Sequence, residues 1–282
     1  MKKVAFVLCG LLRGWQQTSK TFSYIKEVYP DIEFDFYLST WEDGTTRLQE
    51  QKGSPVPIKQ VDLSFFKDLV LDSEEDCYKS MVYPYEVYYK DHHSTINYLN
   101  QQPLFEHFYS WQIKRGFELV KESDNYDLVV ITRPDVFLHR QFLDKLLNPL
   151  DKNSERKYIN DFIYSPTAIL PYDNRLFIHR DYLFAGNYYT INKFSGMFDD
   201  VFVDCKMKLK ALHSLQAYYI CFRGMQSKDI KAGIDPIRPD SIRKPHQPSE
   251  KTLQCMIDEY GAKLYDFHFE QFSNILNNYS VL

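Results

Sequence analysis

Residues 126–138, Tyr-Asp-Leu-Val-Val-Ile-Thr-Arg-Pro-Asp-Val-Phe-Leu, constrain what this chain can fold into more than any other stretch. Leu128 to Ile131 is β-branched and aliphatic without alternation, the pattern of a strand buried on both faces of a parallel sheet. Arg133-Pro134-Asp135 follows at once. Pro134 has no N–H to give to a sheet ladder, so the chain is expected to leave the sheet there with Arg133 and Asp135 close together. In an open α/β sheet that carboxyl edge is where ligands bind. A guanidinium and a carboxylate at such a point suit a ligand carrying phosphate and a divalent cation, the first through forked hydrogen bonds and the second through oxygen ligation.

Strand and helix patterns alternate through the first half. Val4 to Leu8 reads as a strand, Thr18 to Val28 as a helix and Phe34 to Leu38 as a second strand ending in Ser39-Thr40-Trp41, which together make a βαβ unit. Residues 42–64 are polar, with Gly44, Gly53, Pro55 and Pro57, and read as an excursion. Residues 76–100 lack periodicity. Leu104 to Val120 is apolar on much of its helical circumference and is expected to be well buried. Farther on, Phe142 to Leu147 reads as a short helix, Phe162 to Tyr164 and Leu176 to Ile178 as strands, and Tyr189 to Leu212 and Leu215 to Phe222 as helices. The prolines and basic residues from Asp235 to Pro248 mark a loop. The fold class is α/β: a Rossmann-type central sheet, mostly parallel and flanked by helices, in one domain spanning 1–282.

Composition excludes more than it assigns. With 282 residues and a net charge of -4 there is no global basic field, so nucleic acid is not an expected partner. The 22 tyrosines and 21 phenylalanines accompany abundant Lys, Asn and Ile and little Ala, a bias that an AT-rich genome explains as well as sugar stacking does. Cys9, Cys77, Cys205, Cys221 and Cys255 are scattered and odd in number, against a disulfide framework or zinc knuckle. Lys2-Lys3 before Val4 to Leu12 imitates a secretory signal, but Gly10 and Arg13-Gly14-Trp15 break the run and no small-residue cleavage site follows. A first buried strand is the better reading. No segment has the roughly 20 apolar residues of a transmembrane span, and a cytoplasmic location is expected.

Cys9-Gly10-Leu11-Leu12-Arg13, the strand ending in Ser39-Thr40-Trp41, the helix bearing Gln112, and Tyr126-Asp127 leading to Arg133-Pro134-Asp135 resemble glycosyltransferases of the GT-A type, in particular uncharacterised members from bacterial surface-polysaccharide loci and large viruses. The resemblance covers about the first half, resumes more weakly from Asp181 to Asn187 and is slight beyond. It implies a nucleotide-sugar donor held by residues 1–140, a glycan or lipid-linked acceptor held by 141–282, and Mn²⁺ or Mg²⁺ on a D-x-D sequence. Here Arg133 replaces the first aspartate, and Asp135 is the single matching carboxylate.

Each candidate residue has a structural alternative. Asp135, expected as a metal ligand, also suits a turn cap, and Arg133, expected on phosphate with Arg13, also suits an exposed partner to it. Gly10 lets backbone approach a pyrophosphate or simply makes a turn. Trp41 borders a nucleobase or packs in the core. His268 completes the metal shell, as the resemblance implies, or is an ordinary histidine. Adjacent His92-His93 make no natural chelate. Asp181 is the first choice for activating the acceptor hydroxyl, with Asp199-Asp200 in reserve and helix-end charge stabilisation as their alternative. Two other classes remain open: a non-catalytic glycan- or nucleotide-binding module, and a nucleotidyltransferase, for which Gly10 and Gly14 are a poor phosphate loop.

Overall fold

A computed structural model describes residues 1–12, 15–42, 58–80, 102–138, 140–150, 160–169, 177–179, 182–204, 206, 215–229 and 234–236. The long apolar runs set the centre. β1 (Lys2–Cys9), β2 (Ile32–Trp41) and β4 (Leu128–Thr132) lie side by side in parallel, with β1 in the middle. Every residue of β4 is buried, as its unbroken aliphatic run requires. β3 (Asp68–Asp72) adds in parallel to β2. On the far side of β4 the pattern changes: β9 (Leu183–Gly186) runs antiparallel to both β4 and β6 (Phe162–Ser165), and β10 (Gln226–Asp229) is parallel to β6. The order of this seven-stranded sheet is β10-β6-β9-β4-β1-β2-β3. The mostly parallel, helix-flanked α/β architecture expected from sequence is present. The expectation for β4 needs one correction, because its second neighbour is antiparallel.

Side-chain alternation along β1 and β2 divides the core. Val4, Phe6, Leu8, Phe34, Phe36 and Leu38 pack beneath α1 (Trp15–Val28), and Ala5, Val7, Cys9, Tyr37 and Trp41 pack on the other face. Short α2 (Glu74–Lys79) and long α3 (Gln102–Phe117) belong to that second face, with Cys77, Phe108, Ile113 and Phe117 in its core. Gly116 lets α3 come close. A Cβ there would lie 2.7 Å from Val7 Cγ1 and 3.1 Å from both Cys9 Sγ and Ser39 Cβ. Alanine gains about 1 kcal/mol of helix propensity over glycine, but overpacking a filled core costs about 1–3 kcal/mol. Gly116→Ala should therefore show a net loss of stability in denaturant unfolding; a stabilised variant would mean that Val7 moves aside freely.

β4 ends where Pro134 predicts. The chain turns and β5 (Val136–Leu138) pairs antiparallel with β11 (Ile234–Pro236) in a separate ribbon, and α4 (Arg140–Leu147) follows. A second ribbon pairs β7 (Thr167–Ile169) with β8 (Phe177–His179). The helix expected from Tyr189 to Leu212 is broken. It forms as α5 (Tyr188–Ser195), capped at its start by the Asn187 side chain, then stops at Gly196 and gives way to a π-helical turn at Asp199–Val203. α6 spans Leu215–Phe222, as read from sequence. Among the described residues no helix is long and apolar enough to cross a membrane.

Candidate active site

From β1 the chain moves outward to β2 and β3, whereas β4 lies on the other side of β1. The crevice between the carboxyl ends of β1 and β4 is therefore a topological switch point, the usual ligand position in an open α/β sheet. Leu8 pairs with Thr132, so Gly10 and Arg133 emerge just beyond the paired strands, on either side of that crevice. Gly10 has φ +112°, a conformation that glycine adopts without a Cβ penalty, and its N–H donates to the Ser39 carbonyl at 2.9 Å. No described atom lies within 4 Å of where its Cβ would stand.

The Arg133-Pro134-Asp135 turn is anchored from two sides. Thr18 Oγ1 on α1 donates to the Pro134 carbonyl at 2.5 Å. The Tyr182 carbonyl, just before β9, accepts from Thr132 Oγ1 at 2.9 Å and from the Arg133 N–H at 3.2 Å. With the backbone held, Arg133 Nε donates to Asp135 Oδ1 at 2.8 Å and Nη2 to Oδ2 at 2.6 Å. This is a forked, bidentate pair. It is also buried, Asp135 being 1% and Arg133 7% exposed, and the guanidinium carbon sits 5.3 Å from the centre of the Tyr182 ring.

The carboxyl ends of β2 and β3 carry a second polar group under α3. Ser39 Oγ donates to Gln112 Oε1 at 2.5 Å, while Gln112 Nε2 is buried without a partner among the described residues. Trp41 is 2% exposed and packs edge-to-face on Phe108 at 5.1 Å, so its ring belongs to the core. Its neighbour in register, Asp72, accepts from Arg115 Nε at 3.1 Å. Burial raises the Asp72 pKa, and the charge and hydrogen bond of Arg115 only partly offset this. Asp72 was missed in the sequence because its five-residue strand is short and flanked by aspartates.

Tyr126-Asp127 lies at the opposite, amino end of the sheet. There Tyr126 Oη donates to Asp35 at 2.5 Å and accepts from Lys67 Nζ at 3.0 Å, and Lys67 also donates to Asp35 and Asp124. Asp127 accepts from the Lys3 N–H at 2.9 Å and from Lys2 Nζ at 3.1 Å. These bonds tie the starts of four strands together and place this half of the motif away from the crevice. Burial raises the Asp35 pKa, but the hydrogen bonds from Tyr126 and Lys67 outweigh it and hold the carboxyl below its usual range.

Asp199 accepts from Lys114 Nζ at 2.6 Å, and Asp200 accepts from Tyr219 Oη at 2.8 Å and Lys206 Nζ at 2.9 Å with Arg223 at 3.2 Å. Both aspartates thus join helices to one another. Arg13, Asp181, His268 and His92-His93 lie outside the described residues.

A hard divalent cation needs several oxygen ligands. Both Asp135 oxygens already accept from Arg133, and among the described residues no group of three or more His, Cys, Asp or Glu stands ready to hold a metal. The described residues do not fit the metal shell that the sequence resemblance implies.

No family model matches the chain and no curated protein matches it. Among solved structures it is similar to the galactosyltransferase LgtC in complex with donor and acceptor sugar analogs, at 9% identity and TM-score 0.41, over 77% of this chain and 70% of that one. It is also similar to the catalytic domain of Drosophila β1,4-galactosyltransferase 7 in complex with xylobiose, at 9% identity and TM-score 0.35, over 83% and 66%. A mutant of that Drosophila enzyme in complex with manganese, UDP-Gal and xylobiose matches at 8% identity and TM-score 0.36, over 89% and 79%. Overlaps of this size carry no inference about activity.

Proposed function

We propose that the chain is a nucleotide-sugar-dependent glycosyltransferase of GT-A type, moving a sugar to a glycan or other hydroxyl acceptor. One observation carries this reading: a glycine turn at the end of β1 and an anchored guanidinium at the end of β4 flank the switch point of an open α/β sheet. Backbone at Gly10 allows close approach of a diphosphate, and Arg133 neutralises the charge that grows on it as the glycosidic bond breaks. In the transfer the bond from the sugar's anomeric carbon to the diphosphate breaks with its electron pair going to the diphosphate oxygen. The acceptor oxygen forms the new bond to that carbon and gives its proton to Asp181, the proposed activator. Residues 1–140 form the donor side and 141–282 the acceptor side. A cytoplasmic role in polysaccharide biosynthesis, on a free or lipid-linked glycan, completes the proposal.

The test is turnover of a panel of nucleoside diphosphate sugars with glycan acceptors, read as release of nucleoside diphosphate. Arg133→Ala should lower transfer by about 10²–10³-fold, and Asp181→Ala by about 10²–10⁴-fold with donor binding retained. Donor binding without turnover across the panel would identify a binding module instead. Pyrophosphate release from nucleoside triphosphates would identify a nucleotidyltransferase.

A further inference from the structure

We infer that Thr18 is a positioning residue: by bonding to the Pro134 carbonyl, its hydroxyl sets the distance between α1 and the Arg133-Pro134-Asp135 turn, and so the width of the crevice that receives a nucleoside diphosphate. This deepens the glycosyltransferase reading and rests on it. The parallel ladder between β1 and β4 ends at the Leu8–Thr132 pair. Past that rung one chain passes through the Gly10 turn into α1 and the other passes through Pro134 into β5, so strand pairing no longer fixes how far apart the two walls stand. Thr18 Oγ1 joins them, reaching across 116 residues of chain to the Pro134 carbonyl at 2.5 Å, with both residues buried. The β-branch of threonine restricts its first side-chain torsion, which makes the link stiff. Val136 and Leu138, which follow the turn, belong to the same buried cluster as Trp15 and Phe22 of α1, so this wall is packed on the helix that holds it. Thr18 is 0% exposed and its hydroxyl is spent on backbone, so its effect on a ligand passes through the turn. Without the hydroxyl, a buried carbonyl must find another donor and the turn shifts to reach one. A displacement of about 1 Å is enough to cost about 10²-fold where a reaction depends on alignment. The helix carries its own control. Thr21, one turn farther along α1, is equally buried, but its hydroxyl has no hydrogen-bond partner among the described residues.

The test is calorimetric titration of the full chain with uridine and guanosine diphosphate in Mn²⁺, for the wild type, Thr18→Val, Thr18→Ser and Thr21→Val, with circular dichroism checking the fold of each. Thr18→Val keeps the shape of the side chain and removes the bond, and it should weaken binding of the folded protein by about tenfold. Thr18→Ser keeps the hydroxyl and should bind within about threefold of the wild type, as should Thr21→Val, which removes a hydroxyl from the same helix without cutting a bond. A bond that served stability alone would lower the denaturant midpoint of Thr18→Val and leave the affinity of the folded protein unchanged; that result would overturn the inference and leave the glycosyltransferase reading standing. An equal weakening in Thr18→Ser or Thr21→Val would overturn it as well. Hydrogen exchange on the wild type decides the matter if Thr18→Val fails to fold: bound diphosphate should slow the amides of 16–19 and 135–138 together, and slowing in neither segment would count against the inference. Absence of nucleoside diphosphate binding by the wild type would overturn the inference together with the reading beneath it.

Discussion

Asp135→Ala is expected to lose about 3–5 kcal/mol of stability, because it leaves the buried Arg133 guanidinium without its forked partner. An ordinary domain has only about 5–15 kcal/mol in hand, so the variant should be marginally folded. Loss of transfer in Asp135→Ala would therefore say little about catalysis. The energetic logic predicts a compensation as well. Replacing both members by apolar residues of similar volume, as in Arg133→Met/Asp135→Leu, removes two desolvation penalties together and should restore much of the loss while abolishing phosphate binding. Denaturant unfolding of the three proteins measures both effects. A midpoint for Asp135→Ala equal to that of the wild type would show that other groups or solvent compensate the Arg133 guanidinium once the carboxylate is gone.

How far this arrangement was legible in the sequence depends on what kind of physics fixes each part. The runs Val4–Leu8 and Leu128–Ile131 are long and uniformly apolar, so burial alone identifies β1 and β4 as central strands. Leu215–Phe222 was legible at both ends. β9 was not. Leu183-Phe-Ala-Gly reads as a strand only because β4 and β6 stand on either side to take its hydrogen bonds, and tertiary context of that kind leaves no periodic trace. The helix expected after Tyr189 stops at Gly196, where a Cβ would stand 3.3 Å from Tyr219 Oη, so that glycine lets α6 approach closely there; residues 207–212 lie outside the described residues.

At the site, the spacing of Arg133 and Asp135 around Pro134 announced their proximity, and the structure confirms it. The partition of their roles was not announced. Whether a carboxylate two residues from an arginine faces a metal or the guanidinium depends on how the turn is held, and the holding groups are Thr18 and Tyr182, 116 and 50 residues away in the chain. The Ser39–Gln112 bond spans 73 residues and joins two elements whose patterns say only that each is buried.

The second large effect concerns acid stability. His107, on α3, is 1% exposed and lies flat against Phe202 at 4.6 Å, Phe198 at 5.5 Å and Phe108 at 5.8 Å. Burial pushes its pKa down to about 3. Above the unfolded-state value, about 6.5, the ring is neutral in both states and titration contributes nothing. As pH falls through 6.5 the unfolded chain takes up a proton that the folded protein refuses. Unfolding is then favoured by about 1.4 kcal/mol per pH unit until the folded pKa is reached. Between pH 6.5 and pH 4 this amounts to about 3 kcal/mol lost from one residue. Asp35 and Asp200, whose carboxyls are held below their usual range, also lose stability in acid, so the histidine must be isolated by difference. His107→Phe keeps the ring stack and removes the proton. Its stability, measured by denaturant unfolding from pH 7 to pH 4, should fall by about 3 kcal/mol less than that of the wild type, and parallel curves for the two proteins would show that His107 protonates in the folded state as readily as in the unfolded one.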